Sequence, residues 1–299
     1  MAKSIHTGKR KSVETVARKA KARRPAYVMK PEYLAEIARF RLMDDDFMSK
    51  CLENAPECIE LMLRIILGKK DLKVIKSQTE YPIKSLQGRG VRFDVFARDS
   101  KGREYDIEIQ RADKGAEPKR ARYNSALMDA NALKSGEDVD KLRDTYVIFI
   151  TENDVLGGGR EVYHVNRKIE ESDCGDFGDG THIIYVNCTA KGDSDVCKLI
   201  HDLLCHDVDE MYFGALRERV SEFKKSEEGR RVMCKAMERI KAEGVAEGEA
   251  RGKREGKREN MIETAKRLLA NGKLMLKEIA ECSGLPLAQV KKLQASTTS

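Results

Sequence analysis

Two short segments that alternate apolar and polar residues, joined by a loop ending in glycine, constrain this chain more than any other feature. Residues 91–97 run Val91, Arg92, Phe93, Asp94, Val95, Phe96, Ala97, and residues 103–110 run Arg103, Glu104, Tyr105, Asp106, Ile107, Glu108, Ile109, Gln110. Successive side chains of an extended strand point to opposite faces. The pattern therefore sets Val91, Phe93 and Val95 on one face and Arg92 and Asp94 on the other. In the second segment Tyr105, Ile107 and Ile109 oppose Asp106, Glu108 and Gln110. Gly102 suits the left-handed last position of a three-residue hairpin loop. With Ser100 to Gly102 as that loop, Asp99 pairs with Arg103 and Asp94 lies opposite Glu108. Loop parity decides the outcome, since a two- or four-residue loop would send the two acids to opposite faces.

Carboxylates facing each other across a hairpin, with Cβ atoms about 4.5–5.5 Å apart, are destabilising unless positive charge sits between them. A divalent cation meets that need, and hard ions such as Mg²⁺ take the carboxylate, carbonyl, water and phosphate oxygens such a hairpin offers. The alternative on spacing alone is a half-solvated hairpin whose outward face is merely polar.

The run from Arg92, Phe93 and Asp94 through Gly102 to Ile107, Glu108, Ile109 and Gln110 resembles the signature of the PD-(D/E)XK nuclease family transposases, the recombination-promoting nucleases. The likeness extends upstream to residues 46–50 and 60–67, and downstream to residues 119–123 and the apolar run 145–150. It continues into the glycine-punctuated stretch 243–259, so that it covers most of residues 31–294. It implies a restriction-endonuclease-like α/β core, with a central mixed sheet flanked by helices and a helical C-terminal module. It further implies a DNA endonuclease that hydrolyses phosphodiesters with Mg²⁺ or Mn²⁺. In that pattern Asp94 and Glu108 are metal ligands, the Ile109 carbonyl is a third, and Gln110 is the catalytic polar residue where the superfamily usually has lysine. A neutral amide can hydrogen-bond the attacking water but supplies no positive charge. Gln110 therefore keeps open a second reading, a non-catalytic DNA-binding or self-associating protein derived from such a nuclease.

Asp46 is a candidate additional acid, although the run Asp44, Asp45, Asp46 before an apolar-periodic segment also suits a helix cap. Phosphate contacts are expected from Arg111, Lys119, Arg120, Arg122 and Tyr123. If residues 116–132 form a helix, Lys119, Arg122 and Tyr123 share one side of it.

Net charge is +7, but nine basic residues against Glu14 give residues 1–24 a net +8 and leave the rest of the chain at −1. Attraction to a polyanion is thus concentrated in a leader expected to be disordered when free. No apolar run approaches the roughly 20 residues that cross a bilayer, and no apolar signal core follows the first basic residues. The eight cysteines include no Cys-x-x-Cys pair and read as reduced thiols of a cytoplasmic protein. Twofold symmetry, hence a homodimer, would suit an enzyme that cuts both strands.

The expected organisation is a basic leader over 1–30, a nuclease domain over 31–215, a charged glycine-punctuated spacer over 216–260 and a helix-turn-helix-like module over 261–299. Helices are expected over 31–42 and over 47–67 with a break near Pro56 and a cap at Gly68. Strands are expected over 72–77, 80–86, 145–151, 161–166 and 182–187. The three glycines 157–159 read as a flexible hairpin loop. Gly244, Gly248, Gly252 and Gly256 recur every four residues and cost about 1 kcal/mol each in a helix, so the spacer is expected to be a weak helix or a flexible segment. Ala280, Gly284 and Val290 have the rhythm of a helix-turn-helix, with Gln289, Lys291 and Lys292 free to face DNA; a third reading is a transcriptional regulator acting through 273–294. Cys197, His201 and Cys205 form a four-residue stripe with His206 beside it. A helical stripe needs help from elsewhere to surround one zinc ion, and Leu199, Leu203 and Leu204 favour core packing.

Overall fold

A computed structural model describes residues 29–85, 88–171, 175 and 177–297. The leader expected to be disordered, apart from its last two residues, lies outside the described residues, as does Leu86 at the end of an expected strand.

The described residues open with helices α1 (Pro31–Arg39), α2 (Asp45–Leu52) and α3 (Pro56–Leu67). Pro56 starts α3, where its missing N–H costs nothing, and Gly68 ends it at φ +64. A meander of β1 (Val74–Ile83), β2 (Val91–Asp99) and β3 (Glu104–Gln110) leads to α4 (Pro118–Ala132). After α4 come β4 (Thr145–Thr151), β5 (Val162–Val165), β6 (Thr181–Asn187) and α5 (Asp195–Leu204). The sheet order is β1-β2-β3-β4-β6-β5. Strands β3, β4 and β6 are parallel, and antiparallel pairs close both edges. The fold is a mixed sheet flanked by helices with a helical C-terminal region, as a restriction-endonuclease-like α/β protein requires.

Helices α1, α2, α3 and α5 cover one face, over a core that includes Phe47, Leu63, Val95, Ile107 and Ile148. Helix α4 covers the other, over Phe93, Phe96, Ala121, Phe149 and Tyr185. Every residue of β4 is buried, as its near-continuous apolar run predicts for a strand covered on both sides.

Several expectations are corrected. One strand, β1, replaces the two expected over 72–86 and accommodates Pro82, which an edge strand tolerates. The glycines 157–159 do not form a hairpin, because β4 and β5 are not neighbours. Their backbone is instead tied to Asp154 and Tyr163.

Helix α6 (Gly214–Lys225) and the start of α7 (Glu227–Asn271) contribute Leu216, Val220, Phe223, Met233 and Cys234 to the main core, so this core draws on residues past 215. Gly229 lets the two helices meet, since a Cβ there would collide with the backbone of Glu222 and Phe223. Helix α7 continues unbroken through Gly244, Gly248, Gly252 and Gly256, where the sequence suggested a weak or flexible segment. Its far end packs with α8 (Leu276–Ser283) and α9 (Leu287–Thr297) around Ala265, Ile279, Leu285 and Val290. Gly284 turns between them at φ +73. Among the described residues no helix is long and apolar enough to cross a membrane.

Candidate active site

The hairpin has the register that loop parity demands. Pairs run from Arg98 opposite Glu104 to Val95 opposite Ile107, and Asp99 N donates to Arg103 O at 3.0 Å. Asp99 anchors the loop by accepting from Lys101 N, Arg103 N, Arg103 Nε and Tyr105 Oη. Burial would raise its carboxyl, yet the bonds from Arg103 and Tyr105 outweigh that and hold it below the ordinary range. Sequence reading missed this buried acid, although an aspartate just before a turn is a recognised loop anchor.

Beyond Val95 the strand departs from strict alternation. Phe93 packs in the core under α4 whereas Val95 packs in the opposite one, so the two do not share a face as expected. The slip falls at Asp94, where neither neighbouring strand contributes a paired residue and Glu80 of β1 adopts φ +50. The expected direct opposition of Asp94 and Glu108 thus stops one pair short. Instead, Asp94 Oδ2 accepts from Ile109 N at 2.9 Å, substituting for a ladder partner. In an antiparallel pair the N–H and C=O of one residue point the same way, so the Ile109 carbonyl faces Asp94 as well.

Glu108 is fully buried beneath α4, which corrects the half-solvated face. Three groups surround it. Arg120 of α4 donates to it and to Gly115 O, the latter at 3.0 Å. Gln110 Nε2 lies 3.4 Å from its Oε2. Asn124 Nδ2 lies 3.5 Å from its Oε1 and donates to Asp106 at 2.9 Å. Gly115, at φ +132, lets the loop pass over this cluster, because a Cβ would overlap Gln110 Oε1.

Burial, reinforced by the charge of Asp45, raises the Asp94 carboxyl to about 6 despite the Ile109 N–H and nearby arginines. Burial and then the negative charge of Asp94 raise Glu108 to about 7, against the pull of Arg120. Asp106, fully buried beside Glu108, is pushed well above the ordinary range, first by burial and then by Glu108. Three acids that resist ionisation together mark a site short of positive charge.

Asp94, Ile109 and Gln110 open onto a cleft of about 1000 Å³ between the hairpin and the N-terminus of α4. Lys119, Arg120, Tyr123 and Arg111 line it as expected, joined by Arg89, Arg92 and Lys114, which sequence reading missed. Arg122 is exposed on α4 and is not among the lining residues, because the cleft meets the side carrying Lys119, Arg120, Tyr123 and Asn124. Arg111 also pairs with Asp44 at 3.0 Å and Glu152 at 3.4 Å. The aspartate that α2 brings to the cleft is Asp45; Asp46 lines a neighbouring hollow with Phe40 and His206. The first turn of α2 points its successive side chains about 100° apart, which spacing in a three-aspartate run could not resolve.

The donor set near Asp94 and Glu108 consists of oxygens, which suits a hard divalent cation. A profile of the PD-(D/E)XK nuclease family transposases matches residues 50–198. Through this segment the chain belongs to that family. The matched residues span β1 to β6, so they include the hairpin, α4 and the cleft between them. No curated protein and no solved structure matches.

Proposed function

We propose that this family member is a metal-dependent DNA endonuclease of the recombination-promoting type. The observation carrying the proposal is the half-buried Asp94 opening onto a basic cleft with the buried Glu108 beside it, both carboxyls raised by burial although Arg120 pairs with Glu108. Asp94, Glu108 and the Ile109 carbonyl would hold Mg²⁺ or Mn²⁺, which when bound would polarise the scissile phosphate and make a bound water more acidic. Gln110 orients the attacking water through its amide. Arg120 brings from α4 the positive charge that a lysine at 110 would have supplied, and it already lies 3.4 Å from Gln110 Oε1.

Arg111, Lys119 and Tyr123 grip the DNA backbone beside the acids, near the N-terminus of α4, whose cap residue is Glu117. Asp45 replaces Asp46 as the additional acid of this reading, and Arg122 is left to long-range attraction. The exposed Gln289, Lys291 and Lys292 of α9 offer a second DNA contact. Seven unpaired cysteines among the described residues suit a reducing cytoplasm.

One observation favours the non-catalytic alternative: Glu108 is committed to Arg120 and shut off from solvent. The two readings separate in a supercoiled-plasmid assay with Mg²⁺ or with chelator, run on wild type, Asp94→Ala, Glu108→Ala and Arg120→Gln. Cleavage that needs the metal and disappears in both acid variants supports the enzyme. Cleavage persisting in both rejects the assigned site, while metal-independent DNA binding with no cleavage supports the alternative.

A further inference from the structure

The stripe on α5 gains, in three dimensions, the outside help it lacks in sequence. Two of its members leave it. Cys197 is buried with its thiol 3.4 Å from Glu161 Oε2, and His206 Nδ1 is engaged by Arg39 O at 2.6 Å. The helix ends at Leu204, Cys205 turns extended, and a 3-10 turn over Val208–Glu210 carries Glu210 back. One ligand atom from each of His201, Cys205 and Glu210 then lies within 4.8 Å of the other two. Among the described residues this is the group of three or more His, Cys, Asp or Glu side chains that converges so closely.

We infer that His201, Cys205 and Glu210 form a second metal site, for a zinc-class transition metal, which ties the end of α5 to the turn that follows. The donor set of imidazole nitrogen, thiolate and carboxylate matches the three-ligand zinc pattern with a fourth position left for water or a partner's side chain. It does not suit Mg²⁺ or Ca²⁺, which prefer oxygen alone.

The surroundings are built to orient the ligands. Asp202 is fully buried, and its two oxygens accept from Tyr212 N and Phe213 N at 2.8 Å each. Its Oδ1 also lies 3.4 Å from His201 Nδ1. A carboxylate behind the imidazole is the usual second partner of a metal-binding histidine and leaves Nε2 to face the ion. The Tyr212 ring meets the imidazole edge-on, 4.9 Å between centroids, and limits its rotation. Cys205 Sγ donates to Asp207 O at 2.9 Å, which holds the thiol beside the turn that carries Glu210. This site shares no ligand with the cleft and stands or falls independently of the nuclease reading.

The test uses the full chain freed of metal by chelation. Zn²⁺ is titrated in competition with a chromophoric chelator, and Co²⁺ is added separately to read thiolate-to-metal charge transfer, a band that an all-oxygen cleft site cannot give. Wild type is expected to bind one Zn²⁺ at least about tenfold more tightly than Cys205→Ser, His201→Gln or Glu210→Gln. The Co²⁺ band should vanish in Cys205→Ser and remain in Cys282→Ser, a control at the exposed cysteine. Equal zinc affinity in wild type and variants, or a band surviving Cys205→Ser, overturns the inference. Should a variant fail to fold by circular dichroism, wild type alone decides, because no thiolate band at saturating Co²⁺ also overturns it.

Discussion

Replacing Glu108 by glutamine tests the electrostatics of the cleft without changing its shape. The wild-type carboxyl titrates near 7 in the folded protein, raised first by burial and then by Asp94. A carboxyl whose folded pKa lies above its unfolded value contributes most at low pH and loses that contribution as pH rises through the folded value. At about 1.4 kcal/mol per pKa unit, Glu108 takes away about 3 kcal/mol of stability between about pH 4 and about pH 8. Asp94, raised to about 6, acts in the same sense. Removing the charge at 108 should also ease the repulsion on Asp94. The Glu108→Gln protein should therefore lose about 3 kcal/mol less than wild type over that range in metal-free buffer. Urea denaturation at intervals of pH, with chelator present, measures the difference. Other carboxyls, such as Asp99, shift in the opposite sense, so the comparison between the two proteins, rather than either slope, isolates the site. Saturating Mg²⁺ should narrow the gap by stabilising wild type alone. Parallel pH profiles for the two proteins in chelator would refute the claim that burial and Asp94 outweigh Arg120 at Glu108.

Asp106→Ala should unfold at lower urea, by about 1–3 kcal/mol for the buried Asn124 amide that loses its partner; an unchanged midpoint would contradict that contact's role. Gly115→Ala should lower cleavage by displacing Gln110 and Arg120 while leaving the core intact, so plasmid nicking and thermal melting together check it. Deleting residues 1–24, with their net +8, should flatten the dependence of log binding constant on log salt in a filter-binding or anisotropy titration while leaving turnover in place. An unchanged slope would remove the leader from DNA binding.

What could be read in the chain itself follows from short-range rules. Gly102 and the three-residue loop set the register of β2 against β3, and with it the neighbourhood of Asp94 and Glu108. Pro56, Gly68 and Gly284 marked helix boundaries because ring closure and positive φ act on the local backbone whatever surrounds it. The near-continuous apolar run of β4 showed a strand buried on both faces for the same kind of reason.

Other features depended on which distant segments meet. The departure at Asp94 arises where β1 and β2 skip one pair, opposite Glu80, and β2 leaves β3, and the alternating pattern carries no trace of it. Asn124, Asp106 and Arg120 converge on Glu108 only because α4 crosses back over the sheet between parallel strands β3 and β4. Asp45 rather than Asp46 faces the cleft because packing of α2 on the sheet chooses its rotation. Likewise Glu210 joins His201 and Cys205 through a change of chain direction after α5. Hydrogen-bond parity and backbone sterics act over a few residues and so are written in the order of amino acids. The electrostatic environment of a buried carboxylate sums over everything packed around it, and only the folded arrangement specifies that.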